Sequence, residues 1–210
     1  MLTIAKGLYD YRELMLMIAW RNVTLRYKQA YLGIFWAILK PIVLMLIFTL
    51  VKSFVGIESG DIPYPILVFA ALMPWTFFQE SASDGVNSVV SNTALIKKIY
   101  FPREVLPISA VLSNFVNFLL ALVVLFAMIF VFRIPLTGWA LWLPFIMAIQ
   151  LLFTLGLGLI LATTNVFYRD TEVIMDVVVM ALFFMTPVFY PIERLPQSFV
   201  AFGVDLPVQR

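Results

Sequence analysis

Five long apolar runs, almost free of charge, dominate this 210-residue chain. A helix that crosses a bilayer needs about 20 mostly apolar residues. The candidate spans lie at residues 32–51, interrupted by Lys40; 62–79, with no charge; 105–132; 141–165, within the uncharged stretch 134–168; and 173–189, with Asp176 near its start. The runs are continuous rather than alternating, whereas barrel strands are short and alternate. The expected fold is all-α, a polytopic bundle of five spanning helices in this chain, preceded by an N-terminal interfacial amphipathic helix.

Composition supports the membrane. The chain is 63% hydrophobic and 12% charged, against about 45–50% and about 25% for a soluble domain. A water-soluble fold could not hide that much apolar surface. The net charge of +2 is too small to suggest nucleic acid. There is no cysteine and no histidine, which excludes thiol nucleophiles, disulfides, Cys/His zinc sites and histidine bases. No cofactor or metal is expected in the chain itself. Residues 1–13 carry Lys6, Asp10, Arg12 and Glu13 without an apolar segment, so no cleavable signal peptide is expected.

Basic residues set the orientation. Nine lie on one side (Lys6, Arg12, Arg21, Arg26, Lys28, Lys97, Lys98, Arg103, Arg169) and four on the other (Lys52, Arg133, Arg194, Arg210). The positive-inside rule then places the N-terminus in the cytoplasm, with Trp139 and Trp142 at the outer interface. Five spans leave the C-terminus outside. An odd count is unusual for a transporter half, so a fragment or a chain lacking its final helix is expected. The division reads as an N-terminal interfacial element at 1–30, a membrane domain at 31–196 and an atypical tail at 197–210. On a helical wheel, Asp10, Glu13, Arg21, Thr24 and Lys28 share one arc of the N-terminal element, flanked by Leu14, Met17, Ile18 and Leu25. Arg12, Asn22 and Arg26 fall outside it. The expected position is on the inner leaflet.

Several residues invite a functional reading beside a bland one. Lys40 would lie roughly 15 Å into the first span by helical rise, a costly place for a charge. It is either a pore-lining cation for an anionic cargo or a snorkelling residue on a helix that starts late. Pro41 beside it favours a kink. Asp176, with Asp170 and Glu172, reads as a helix start complementing the macrodipole or as a proton-coupling carboxylate. Gly156, Gly158 and Ala162 read as helix packing. Phe35, Trp36, Trp75, Phe77 and Phe78 could wall a path for sugars, or serve lipid contact and packing.

The stretch 80–104 reads as a loop of about 25 residues, beyond ordinary connectors. Ser83 or Asp84 could cap a helix in it, with Val86, Val89, Val90 and Thr93 on one face and Pro102 ending it. It is either a docking element for a soluble partner or a solvated loop whose Lys97, Lys98 and Arg103 touch anionic lipid. No phosphate-binding loop of the Gly-x4-Gly-Lys-Ser/Thr type is present. Any ATP-driven work would need another subunit.

Four strings, in order along the chain, carry a resemblance. Arg26-Tyr-Lys-Gln-Ala-Tyr-Leu-Gly-Ile-Phe-Trp-Ala-Ile-Leu-Lys-Pro41 resembles the start of type-2 ABC transporter permeases of the O-antigen, capsule and teichoic acid export branch. Asn92-Thr-Ala-Leu-Ile-Lys-Lys-Ile-Tyr-Phe-Pro-Arg-Glu-Val-Leu-Pro107 is similar to that branch's cytoplasmic segment. Gly156-Leu-Gly-Leu-Ile-Leu-Ala162, followed by Asn165-Val-Phe-Tyr-Arg-Asp170, resembles its fourth helix and loop. Thr186-Pro-Val-Phe-Tyr-Pro-Ile192 resembles its outer motif. The resemblance implies six spans per permease, a homodimer, and a separate ATPase that binds ATP and magnesium. The coupling set would be Asp84, Val86, Val89, Val90, Asn92, Lys97, Lys98 and Arg103. The cargo would be a polysaccharide on a polyprenyl diphosphate or a related glycolipid, met by Arg21, Arg26, Lys28 and Lys40 and by the five aromatics. Pro187, Phe189, Tyr190 and Pro191 would shape an outer gate. Past Pro196 the chain departs from the family, which continues into a sixth helix.

Two rivals stand beside this reading. A type-2 ABC permease for drugs or small lipids would share the fold. A membrane-embedded transferase would need clustered acids on one face, and the sequence offers only Asp170, Glu172 and Asp176.

Overall fold

The computed structural model describes residues 10–28, 33–55, 62–135, 137–186, 198–201 and 204–207. The described residues are mostly helical, apart from short turns and an antiparallel hairpin pairing Ser198–Ala201 with Val204–Pro207. Helix α1 is Arg12–Tyr27, α2 is Trp36–Val55 after a 3-10 turn at Gly33–Phe35, and α3 is Tyr64–Ser91. Helix α4 is Thr93–Lys98, α5 is Val105–Val131, α6 is Leu143–Phe167 after a 3-10 turn at Gly138–Trp142, and α7 is Asp170–Met185.

Among the described residues, three stretches are long and apolar enough to cross a membrane: Trp36–Phe54, Val105–Val131 and Gly138–Phe167. The chain is a membrane protein. The other two expected spans are also helices, but of different make. Helix α3 runs through the apolar stretch and on into polar sequence, and α7 has 16 described residues.

Helix α3 is the hub, touching α2, α5, α6 and α7. Its Ile66, Phe69, Met73 and Phe77 form one core with Met45 of α2 and Val111, Phe118, Ala121 and Leu125 of α5. In lipid the tails are as apolar as these side chains, so close packing, rather than transfer from water, holds such a core. Two glycines bring α3 and α6 close together. A Cβ on Gly85 of α3 would lie 3.3 Å from the Gly158 Cα of α6. Ala162, one turn beyond Gly158, is buried at the same seam, whereas Gly156 meets open space. Gly158 and Ala162 are therefore packing residues and Gly156 is not part of the contact.

Helix α3 corrects the reading of 80–104 as a loop. The helix continues without a break to Ser91. Phe77, Ser81, Ala82, Gly85, Val86 and Ser88 keep a buried face at helical spacing. Small residues there let α5 and α6 close on it, and a mostly polar face turns outward. Only Asn92–Glu104 remains between α3 and α5, and α4 fills half of it. Neither Ser83 nor Asp84 caps a helix, because both lie inside one.

The first span also starts later than its apolar run. With α2 beginning at Trp36, Lys40 lies roughly 6 Å along the helix by rise per residue, not 15 Å. In α7, Asp170 and Glu172 occupy the first turn and Asp176 is exposed in the second, the helix-start arrangement that favours acids.

Helix α1 lies against α5. Ile18 joins Phe101, Val105 and Leu106 in a second core, Ala19 and Val23 are buried, and Ser109 Oγ donates to Met15 O at 3.0 Å. The expected polar arc of Asp10, Glu13, Arg21, Thr24 and Lys28 is exposed, as are Leu16, Met17 and Trp20.

Candidate functional site

Arg26 lies off the polar arc of α1, on the side that faces the protein. That placement sends its guanidinium across to α3, where Glu80 and Asp84 stand one helical turn apart. Like charges at this spacing repel, and Arg26 bridges them. Its Nη1 donates to Glu80 Oε2 at 3.1 Å and its Nη2 to Asp84 Oδ2. Asn114, buried on α5, closes the network. Its Oδ1 accepts from Arg26 Nη1 at 2.8 Å and its Nδ2 donates to Asp84 Oδ2 at 2.8 Å. Lys40 of α2 donates to Glu80 Oε1 at 2.8 Å. Two cations, two carboxylates and the Asn114 amide thus join four helices with no net charge.

The members are unequally exposed. The side chains of Arg26 and Glu80 are 31% and 29% exposed, that of Lys40 69%. An exposed pair is screened and weak, so the Arg26 contacts dominate. The cluster borders a cleft of about 650 Å³, whose wall includes Trp36, Lys40, Asn117 and Phe118. The Asn117 Oδ1 is buried without a hydrogen-bond partner.

Among the expected cargo residues, Arg26, Lys40, Trp36 and Phe77 meet at this cleft. Phe77 is a packed floor rather than a free wall: it is 3% exposed and stacks on Phe118 with centroids 5.3 Å apart. Trp75 and Phe78 turn to other helices, packing on Phe183 of α7 at 5.6 Å and on Phe153 of α6 at 6.1 Å. These three aromatics serve helix packing. Phe35 and Lys28 are exposed away from the cluster. Arg21 donates to Asn92 Oδ1 at 2.9 Å.

The expected coupling residues divide. Val86 is 1% exposed beneath Leu161 and cannot touch a partner, because α6 already covers it. Asp84 is committed to the cluster and Val89 is half-buried. Val90, Lys97, Lys98 and Arg103 are exposed. Phe101, Leu95 and Ile96 pack under α1 and anchor the turn, which displays Ile99 and Tyr100, the latter 96% exposed. Pro187, Phe189, Tyr190 and Pro191 lie outside the described residues.

Sequence reasoning missed Glu80, Asn114 and Tyr100. The signal for Glu80 was its one-turn spacing from Asp84, hidden by reading a loop there. Glu80 and Asp84 are neutralised by cations, and among the described residues no group of three or more acids could hold a metal.

A model of the ABC-2 type transporter family matches residues 13–205. The chain belongs to the ABC-2 type transporter family. Among this ABC-2 chain's relatives is the O-antigen export system permease protein RfbA of Myxococcus xanthus, 34% identical over 200 residues, covering 93% of this chain and 75% of its own length. Two proteins of the same name from Klebsiella pneumoniae are 32% and 31% identical over 189 residues, covering 89% of this chain and 72% of their own. The ABC-2 membership makes the chain a transport subunit, and the match spans every helix of the bundle.

Proposed function

We propose that this chain is the permease subunit of an ATP-driven exporter that moves an O-antigen-type polysaccharide across a bacterial inner membrane. The carrying observation is that relatives named as O-antigen export permeases match across nearly the whole chain. A separately encoded ATPase binds ATP and magnesium, and two permease copies form the pathway. The cargo travels on a lipid. Helices α2, α3, α5, α6 and α7 make the five spans, with the N-terminus cytoplasmic and α1 lying on the inner leaflet. The exposed Leu16, Met17 and Trp20 suit that position. The domain limits are those expected, 1–30, 31–196 and 197–210.

The ATPase engages the exposed turn of Lys97, Lys98, Tyr100 and Arg103. Since α3 is one continuous helix from Tyr64 to Ser91, a push on that turn tilts α3 and loads the Arg26 network at its inner end. Pro187 to Pro191 form the outer gate. In cells, deleting this chain should leave finished polymer trapped inside, with surface polymer restored by a plasmid copy. Undiminished surface polymer in the deletion strain would contradict the proposal.

A further inference from the structure

The contact between α3 and α6 carries polar atoms without partners. The two helices run in the same direction, since Pro74, Gly85 and Val86 meet Gln150, Gly158 and Asn165 in order. Among the described residues, four buried side-chain oxygens lack a hydrogen-bond partner, and three of them lie on these two helices: Ser81 Oγ, Thr154 Oγ1 and Asn165 Oδ1. Ser81 stands one helical turn before Gly85, and Thr154 one turn before Gly158. The glycine contact therefore brings the two hydroxyls to the same level of the seam.

Their freedom is an exception. Six serines and threonines are buried among the described residues. Ser88, Ser109, Ser113 and Thr171 each donate to a backbone carbonyl three or four residues back, at 2.6–2.7 Å. That is the ordinary way for a helix to satisfy a hydroxyl away from water. Ser81 and Thr154, 0% and 1% exposed, make no such bond. A buried hydroxyl without a partner costs free energy that an apolar side chain of the same shape does not. Two such costs at one level of one seam point to a packing in which both are recovered.

We propose that the α3–α6 seam has a second packing, in which Ser81 and Thr154 hydrogen-bond to each other, and that α6 moves against α3 into it during transport. The seam suits a small displacement. Where Gly85 meets Gly158 it has no interlocking side chains. Its polar ties are side-chain amides on backbone carbonyls: Gln150 Nε2 donates to Pro74 O at 2.7 Å and Asn165 Nδ2 to Val86 O at 3.0 Å. Such amides can follow a carbonyl as the helices shift, and packed interfaces settle in discrete arrangements. Ser81 and Thr154 are then positioning residues, acting on the seam without touching cargo. The inference goes beyond the export reading and uses it only for the transport assay.

The test separates stability from transport. Ser81→Ala, Thr154→Val and the double variant are compared as purified full chains in nanodiscs and as plasmid copies in the deletion strain, with membrane levels checked by immunoblot. In nanodiscs each substitution should raise Tm by about 2–4 °C. The two gains should add, because the hydroxyls are unpaired at rest. Surface polymer should instead fall several-fold, and the double variant no further than either single one, since losing one partner already breaks the pair. Thr154→Ser keeps the hydroxyl and should keep export. A role in static packing would lower Tm and export together. A lower Tm in the single variants, or undiminished export in the double one, overturns the second packing. The wild-type plasmid judges the export reading by itself: if it restores no polymer, that reading fails, and the Tm comparison still decides the seam.

Discussion

The Arg26 guanidinium donates to the Asp84 carboxylate across 58 residues of sequence, tying α1 to α3. Glu80 and Asn114 extend the tie to Lys40 on α2 and to α5. Removing one partner of a half-buried pair costs more than the pair contributes, because a charge is left uncompensated.

Arg26→Gln should therefore destabilise the purified protein by about 1–2 kcal/mol, discounted for its exposure. Lys40→Ala should cost less than about 1 kcal/mol, being largely in solvent. A double-mutant cycle of Arg26→Gln with Asp84→Asn in thermal denaturation should show coupling above about 1 kcal/mol. Additive losses would mean that the pair is incidental.

The glycine seam predicts a contrast between Gly85 and Gly156. Gly85→Leu should force α3 from α6 and cost about 1–3 kcal/mol as overpacking. Gly156→Leu, with nothing within 4 Å of its Cβ, should be tolerated. Thermal denaturation in detergent compares them, and equal losses would refute the seam.

Arg133 ends α5 with φ of 55°. Its N–H donates to Phe130 O at 3.1 Å and that of Ile134 to Ile129 O at 3.1 Å, a Schellman ending in which glycine is preferred. Arg133→Gly should stabilise by about 1 kcal/mol by relieving the left-handed conformation, a Tm rise of about 2–4 °C. A fall in Tm would indicate that the arginine side chain outweighs that strain.

The turn between α3 and α5 separates display from anchorage. Lys97→Glu with Lys98→Glu, or Tyr100→Ala, should reduce co-purification of the ATPase several-fold with Tm unchanged. Phe101→Ala should instead lower Tm, since Phe101 is buried beneath α1, at a cost of about 3–5 kcal/mol. ATPase capture that survives the lysine reversals would remove the turn from the docking surface.

Apolar length was enough to find α2, α5 and α6, because a bilayer demands it of the sequence directly. It found the first half of α3 but not its continuation past residue 79, where burial is carried by Ser81, Gly85 and Ser88, residues that read as loop by composition. The charged cluster was half-visible. Arg26 stood on the wrong side of the α1 arc, but its acids lay in a segment taken for a connector, and Asn114 was one amide in an apolar helix. Of the two readings of Lys40, the start of α2 at Trp36 favours the helix that starts late, because an apolar run marks where a helix can be, not where it starts. The aromatics could not be sorted, since what separates buried Phe77 from exposed Phe35 is only what surrounds them.

The claim at the centre is that a second polypeptide supplies the work. It is tested most directly by reconstituting the purified chain in vesicles, with and without its separately encoded ATPase, and following ATP-dependent movement of lipid-linked glycan. Movement only when both proteins are present is the predicted result; movement by this chain alone would contradict it.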